Sequence, residues 1–356
     1  MKQKFLRLTL MSIAMMFMGV CAQAQNYSYV KVTSAPTDWS GEYLIVYEGD
    51  ASHDAVALNG SLSSLDDAKN GVKVTISSNV ITGSDAINAA TFTIAQISGT
   101  TNYSVKSASG YYIGATKTEN KLRFSDSDVY ANSIELSGTN AVIKSFLTGT
   151  AVTLRYNYAV DQLRFRYYKS GQQAVALYKK VVPMTITSAT WASFSSASEV
   201  AIPEGVTAYY ASASDGSSVT LKEITTGIIP ANEGVVINGT AKTYYANISA
   251  TDADNVTGNL LKPNVTAGTP SGTYYTLAAG PTFKLSSGGT LAAGKSYLVV
   301  PDGARELTIN FDETTAIQNI ERATVTDNRY YTLDGREVKN PTKGIYIVNG
   351  KKVVIR

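Results

Sequence analysis

The sequence is poor in the residues that build reactive sites. Its 356 residues include one cysteine and one histidine. The single cysteine, Cys21, excludes an intramolecular disulfide and any zinc site made of several thiolates. The single histidine, His53, excludes a multi-histidine metal cluster, and no Gly-x-Ser-x-Gly motif is present for a serine hydrolase. We therefore interpret His53 as a solvated loop residue, and we expect neither a metal nor another cofactor.

Long apolar runs are also missing. The run Leu8–Val20 covers about 13 residues, whereas a membrane-spanning helix needs ~20. A basic segment precedes it and Ala22-Gln23-Ala24 follows it, which is the pattern of a secretory signal peptide over residues 1–24. The alternative is a lipoprotein signal ending at Cys21, for which the preceding residue is too large. We predict no transmembrane segment in the mature chain.

Excess charge of one sign is absent once the two ends are set aside. The net charge of +3 falls to zero when Lys2, Lys4 and Arg7 leave with the signal peptide. The tail 327–356 carries seven basic and three acidic residues, so residues 25–326 carry a net charge of −4. A nucleic-acid partner held by a basic patch is therefore not expected.

What the sequence does contain is alternation of apolar and polar residues from Tyr27 onward. Clear examples are Glu42–Tyr47, Val72–Ile76 and Ser296–Val300. Glycine, serine, threonine, asparagine and aspartate cluster between such runs, as turns require. No window shows a sustained helical period with caps. The sequence predicts an all-β protein.

The first predicted domain covers residues 27–181 and contains a repeat of three short segments. The three copies are Tyr103–Ser107 with Gly110–Gly114 and Lys121–Phe124, then Ala141–Ser145 with Val152–Tyr156 and Gln162–Phe165, and a poorer copy in Glu42–Val46 with Ala55–Asn59 and Val72–Ile76. Three units of about four short strands each predict a β-trefoil-like domain. A β-sandwich with chance similarity between hairpins is the alternative.

Val182-Pro183 marks the next predicted boundary. Residues 184–312 carry turn signals every 8–12 residues, which is typical of a β-sandwich. A polar linker is predicted over residues 313–326, followed by the short β tail 327–356.

The tail contains three motifs, Tyr331–Arg336, Pro341–Val348 and Lys351–Arg356. It resembles the C-terminal sorting domain of type IX (Por) secretion substrates of Bacteroidetes, although it is shorter than full-length sorting domains. The resemblance implies the secretion machinery as a partner and export to the cell surface or the medium, with a periplasmic location left open. The residues that carry the resemblance are Gly335, Pro341, Gly344, Tyr346, Lys352 and Arg356.

The segment 184–312 is similar to a β-sandwich module common before such tails. The similarity rests on Thr190–Phe194, Ile229–Ile237 and Ala293–Leu298. It implies an accessory module without known catalysis.

Paired carboxylates are the remaining candidates for catalysis, because glycoside hydrolysis needs only two of them. The available pairs are Asp66 with Asp67, Asp126 with Asp128, and Asp252 with Asp254. All lie in polar, turn-like stretches, so we interpret them as loop caps and expect that the protein is not an enzyme. An unrecognised glycosidase is the third hypothesis for its function.

Tyrosine doublets suggest how the protein could bind a ligand. They are Tyr111-Tyr112, Tyr167-Tyr168, Tyr209-Tyr210, Tyr244-Tyr245, Tyr274-Tyr275 and Tyr330-Tyr331. Adjacent side chains of a strand face opposite sides, so at most one of each pair should enter the core while the other could stack on a sugar. Our candidate ligand-binding residues are Tyr112, Tyr168, Arg164 and Arg166. The leading hypothesis is an exported, non-catalytic protein that binds a polysaccharide or host glycan, and the alternative is a structural or adhesive surface protein that contacts proteins.

Overall fold

The computed structural model describes residues 27–312, apart from 250, 252, 254 and 302, together with residues 329–332, 335–348 and 351–355. The predicted signal peptide (1–24) and linker (313–326) lie outside these ranges. The predicted all-β class is confirmed, since the described residues form thirty strands and one five-residue helix. No helix in this part of the chain has the length and apolar character needed to cross a membrane.

Residues 27–186 contribute fourteen strands and the helix. In chain order they are β1 (Ser28–Lys31), β2 (Gly41–Tyr47), β3 (Val56–Leu58), β4 (Gly71–Lys73), β5 (Val80–Thr82), α1 (Asp85–Ala89), β6 (Phe92–Gln96), β7 (Tyr103–Ser107), β8 (Tyr112–Gly114), β9 (Arg123–Ser125), β10 (Asn132–Ser137), β11 (Asn140–Ser145), β12 (Val152–Asn157), β13 (Arg164–Tyr168) and β14 (Ala176–Ile186).

Six of these strands form a closed antiparallel ring. Strands β2, β6, β7, β10 and β11 pair in that order, and β14 pairs with β2 on one side. A bridge between Ala141 and Val175, next to β14, closes the ring against β11. Three hairpins, β3–β4, β8–β9 and β12–β13, lie between successive ring strands along the chain. The same four-strand unit therefore occurs three times, and its strands overlap the three copies seen in the sequence.

Strand β2 contains Glu42–Tyr47, which is expected to alternate but reads as a continuous apolar run from Tyr43 onward. Tyr43 and Ile45 point into the core of the ring, while Leu44 and Val46 join a second cluster on the outer side. That outer cluster includes Tyr29 of β1, which together with β5 and α1 covers this face. Both faces of β2 are buried, so alternation gives way to a continuous apolar run.

Strand β14 continues through the predicted domain boundary. It pairs with β1 as far as Val181, and from Val181 to Ile186 it pairs with a later strand, residues 242–247. The strand is unbroken at Val182-Pro183, but the hydrophobic core changes there, because Val182 belongs to the cluster of the following segment. Pro183 fits because β14 has one described partner strand at this point, so a missing N–H can face the unpaired side.

Residues 187–312 add twelve strands. They are β15 (Trp191–Ser195), β16 (Val200–Ala201), β17 (Val206–Ser214), β18 (Ser218–Glu223), β19 (Ile228–Ile229), β20 (Gly234–Gly239), β21 (Lys242–Asn247), β22 (Leu261–Asn264), β23 (Tyr275–Ala278), β24 (Thr282–Leu285), β25 (Lys295–Leu298) and β26 (Glu306–Phe311). Nine of them form one sheet in the order β15-β20-β17-β18-β26-β24-β23-β25-β22, β16 pairs with β19, and β21 pairs with β14.

This nine-stranded sheet is buried on both faces at β20. Val235 and Ile237 pack with Met184 of β14 on one face, whereas Val236 packs with Phe283 and residues of several other strands on the opposite face. All members of the second cluster lie on the same sheet or beside it, so the sheet curls around them. The finer assignment of a β-sandwich stays a prediction.

The tail forms a separate small sheet. Its strands are β27 (Tyr330–Tyr331), β28 (Glu337–Val338), β29 (Gly344–Val348) and β30 (Lys351–Ile355), in the order β28-β27-β29-β30.

Three of the tail's motif residues have visible structural roles. Gly335 occupies a left-handed turn at φ +84° between β27 and β28, a conformation that favours glycine. Tyr346 is buried, its ring meets Tyr330 edge-on at 6.0 Å, and its hydroxyl accepts a hydrogen bond from Thr342 N at 3.2 Å. Gly344 pairs with Ile355 at the end of the hairpin. Lys352 lies opposite Ile347, Pro341 lies between β28 and β29, and Arg356 lies outside the described residues.

Candidate binding site

Two of the four predicted ligand-binding residues, Arg164 and Arg166, hold a loop in place. The Nε and Nη2 atoms of Arg166 donate to the two carboxylate oxygens of Asp66 at 2.6 and 2.9 Å. Arg164 Nη1 donates to the backbone oxygen of Asp66 at 3.2 Å, and Asp66 also accepts from Leu122 N at 2.8 Å. These contacts join the loop 59–70 to two hairpins. The arginines are therefore engaged by the protein itself.

The expectation that each tyrosine doublet sends at most one ring into the core is wrong in two cases. Tyr167 and Tyr168 are both buried, as are Tyr274 and Tyr275. Tyr168 shares one face of β13 with the two arginines that bind Asp66, so the loop 59–70 lies over the face on which we expected an open ring. Burial raises the pKa of the Tyr168 hydroxyl.

Tyr112 lies on another hairpin, β8–β9, and is half-buried. The Nζ atom of Lys106 lies 4.7 Å from the centre of its ring, a cation–π distance. The predicted tyrosine–arginine site is therefore not gathered in one place. Tyr168, Arg164 and Arg166 share a face of β13, and Tyr112 lies on β8 of a different hairpin.

A different group of aromatic side chains meets at the surface of the segment 27–186, which contains the ring of six strands and is called the ring domain below. The imidazole of His53 stacks on Tyr158 with ring centres 4.2 Å apart and planes 17° apart. Tyr47 stacks on Tyr156 at 4.8 Å and lies 6.4 Å from Tyr158. We call these four residues the aromatic cluster. Tyr158, at 36 % exposure, is its open end.

Phe165 of the core supports the cluster from below, because its ring lies 4.7 Å from that of Tyr156. The cluster therefore runs from solvent into the interior of the ring domain. Its outer rings come from the loop 48–55 and from the end of β12, which the fold brings together.

Asp50 organises the loop side of the cluster. Its carboxylate accepts hydrogen bonds from Ser52 N at 2.8 Å and from the Tyr47 hydroxyl at 2.9 Å. His53 Nδ1 lies 2.8 and 2.9 Å from its two oxygens. The Ser52 N–H and then the His53 ring lower the pKa of Asp50 to about 2. Burial and the bond to Asp50 raise the pKa of Tyr47 to about 12.

A glycine sets the shape of the same loop. Gly49 has φ +77°, and a Cβ at this position would lie 2.5 Å from the backbone oxygen of His53. Asp50 N donates to that same oxygen at 2.9 Å. The tight turn therefore requires glycine for both conformation and space, and it fixes His53 against Tyr158.

The chemistry of the cluster suits a ligand with apolar faces and hydroxyl groups. An exposed ring offers a flat apolar surface at a small entropic cost, because few torsions remain free. The partly exposed Asp50 carboxylate adds hydrogen-bond acceptors next to that surface. Val160, which is 83 % exposed, lies two residues beyond Tyr158. A pyranose ring has both properties that such a surface matches.

Sequence reasoning missed this cluster because its partners are far apart in the chain. His53 is a partly exposed loop residue, and its stacking on Tyr158 joins the loop after β2 to the residue after β12. A local sequence signal for that contact does not exist, since neither residue lies in a repeated segment.

Three of the six predicted carboxylates can be placed as follows. Asp66 is engaged by Arg166, and Asp126 and Asp128 are exposed in the turn after β9. Asp252 and Asp254 lie outside the described residues. Within the described ranges no three histidine, cysteine, aspartate or glutamate side chains gather as a metal site would require.

Comparison with models of known protein families, with curated proteins and with solved structures finds no match for this chain.

Proposed function

We propose that this chain is an exported, non-catalytic protein that binds a glycan through the aromatic cluster of its N-terminal domain. The proposal includes a β-trefoil-like assignment for that domain. The closed ring of six strands and the three intervening hairpins support this assignment.

The observation that carries the proposal is the stack of His53 on Tyr158 at the surface. The stack is held before any ligand arrives, because Gly49 sets the turn and Asp50 bonds both Tyr47 and His53. Binding to such a preorganised surface avoids the entropic cost of ordering side chains. A flexible or buried tyrosine would not offer the same advantage.

A glycan array with the mature chain, residues 25–356, tests the proposal. We expect binding to at least one glycan, and Tyr158→Ala should weaken it by about tenfold or more, since one stacked ring contributes about 1 kcal/mol beyond its buried area. Tyr245→Ala is the matched control, because Tyr245 is 37 % exposed on β21 but outside the cluster. Absence of binding to every glycan on the array, or equal binding by the two variants, would overturn the proposal.

Export by the type IX machinery of a bacterium of the Bacteroidetes is the second part of the proposal, with the cell surface or medium as destination. The signal-like N-terminus and the motifs of the tail support it. Deleting residues 327–356 should retain the protein in the periplasm of a bacterium that carries this machinery. Normal secretion of the shortened chain would contradict this part alone.

An adhesive protein that contacts other proteins is the second candidate function. Val160 favours it, because an apolar side chain this exposed next to an aromatic surface is typical of a protein contact. This alternative predicts a silent glycan array together with binding to a surface protein that Val160→Ser weakens.

A further inference from the structure

Two adjoining pockets lie where β14 leaves the ring domain. Their volumes are about 170 and 450 Å³, and both are lined by Thr185 of β14, Ser193 of β15 and Lys295 of β25. The residues that line them all lie between positions 182 and 296, so neither pocket includes a residue of the aromatic cluster.

Lys295 differs from other lysines that the fold encloses. Lys31 bonds Glu48 at 2.6 Å and Lys180 bonds Glu42 at 2.8 Å, so each charge is paired. Lys295 is half-buried, yet in the described part of the chain its ammonium group has no carboxylate or hydrogen-bond partner. Burial without compensation lowers the pKa of Lys295. An anion bound next to this partly desolvated ammonium group would compensate its charge.

The larger pocket also contains an aromatic wall and hydroxyl groups. Trp191 lines it, and the Trp191 ring is fixed from behind by Tyr209 at 5.6 Å and Phe311 at 5.8 Å. Thr276 adds a hydroxyl to those of Thr185 and Ser193. An apolar wall with a few polar groups is the usual composition of a small-molecule pocket.

We propose that the larger pocket binds an acidic sugar, with Lys295 facing the carboxylate of the sugar and the Trp191 ring packing against its pyranose. The single lysine matches a single carboxylate, and the hydroxyl groups of the wall match those of the sugar. Several phosphates in a row would require a basic stripe, so a nucleic acid does not fit. This site is independent of the aromatic cluster and does not rest on the function proposed there.

Glucuronate and glucose are matched probes, because they differ by one carboxylate. In calorimetric titrations of the mature chain, we expect glucuronate to bind at least about tenfold more tightly than glucose, the ratio that ~1.4 kcal/mol gives. Lys295→Met should abolish the difference. Lys284→Met is the control, since Lys284 is exposed and 3.8 Å from Glu306.

The variant also carries a second readout. Because the charge of Lys295 is uncompensated, Lys295→Met should leave thermal stability unchanged or raise it.

Acetate and a tripeptide with a free carboxylate complete the set of probes, and both should bind more weakly than glucuronate because neither packs a pyranose on Trp191. Equal affinity for glucuronate and glucose, a preference that survives in Lys295→Met, or tighter binding of the tripeptide would each overturn the proposal.

Discussion

At the scale of single residues, Asp66 shows how a side chain that looks catalytic can be structural. Its carboxylate joins the loop 59–70 to β13 through Arg166 and to Leu122 through a backbone N–H. Both charged side chains are largely buried, at 15 % exposure for Asp66 and 23 % for Arg166. Removing one partner of such a pair leaves the other charge poorly solvated.

Asp66→Asn should therefore lower the free energy of unfolding by about 2 kcal/mol, somewhat less than a fully buried pair costs. Urea denaturation of residues 25–356 measures it. Asp67→Asn is the control, because Asp67 is exposed and should change stability by less than about 0.5 kcal/mol. A shift of the same size in both variants would show that the ion pair contributes nothing specific.

Asp50 gives a prediction for pH. Its pKa in the folded protein is about 2, below the unfolded value of about 3.9. The stability that its hydrogen bonds provide is thus fully present above pH ~4 and is lost as the pH falls through about 2. A carbon NMR titration of the Asp50 carboxyl should give a midpoint near 2. His53→Ala should raise this midpoint but leave it below 3.9, because the Ser52 N–H is the larger cause; a wild-type midpoint near 4 would contradict the account.

At the scale of elements, the loop 48–55 determines whether His53 meets Tyr158. Gly49→Ala places a Cβ against the His53 backbone, whereas Gly99→Ala meets open space at a similar φ of +74°. Both variants pay the left-handed cost of about 1 kcal/mol. Gly49→Ala should lose more stability and should also move the His53 ring off Tyr158, as seen in the proton NMR shift of that ring. Identical losses with an unmoved His53 would show that the turn does not position it.

The elements also show what could be predicted from the sequence. Alternation predicts strands that have one buried and one exposed face, whereas β2, which is buried on both faces, has a continuous apolar run instead. Pro183 shows the limit of a local signal, since a proline can end a strand or lie on its unpaired side, and only the partner strand β21 distinguishes the two. Tyr168 is buried, and its neighbours Arg164 and Arg166 bind Asp66, which lies about 100 residues away in the chain, so the local pattern could not show either fact. The contact between His53 and Tyr158 is equally non-local, so the local pattern could not reveal it.

At the scale of the whole molecule, two hydrophobic cores share strand β14. Leu177 of this strand packs in the core of the ring, and Met184 packs in the core of the following segment. A continuous hydrogen-bonded strand therefore connects the two cores.

This link predicts coupled unfolding. Met184→Ala should cost about 3 kcal/mol, the usual loss for a buried methionine. Because β14 is shared, hydrogen exchange of amides in β2, its neighbour in the ring, should also become faster. Thr185→Ala, at an exposed position of the same strand, should leave those amides unchanged. Acceleration confined to the second domain would show that the two domains unfold independently.

The central claim, that the aromatic cluster binds a glycan, can be tested on a single side chain by NMR. His53 is the only histidine in the chain, so its ring protons give isolated NMR signals. We predict that a glycan identified on the array shifts the His53 ring signals, and that the shift saturates with the dissociation constant found by calorimetry. A glycan whose binding survives in Lys295→Met while the His53 signals stay in place would contradict the claim.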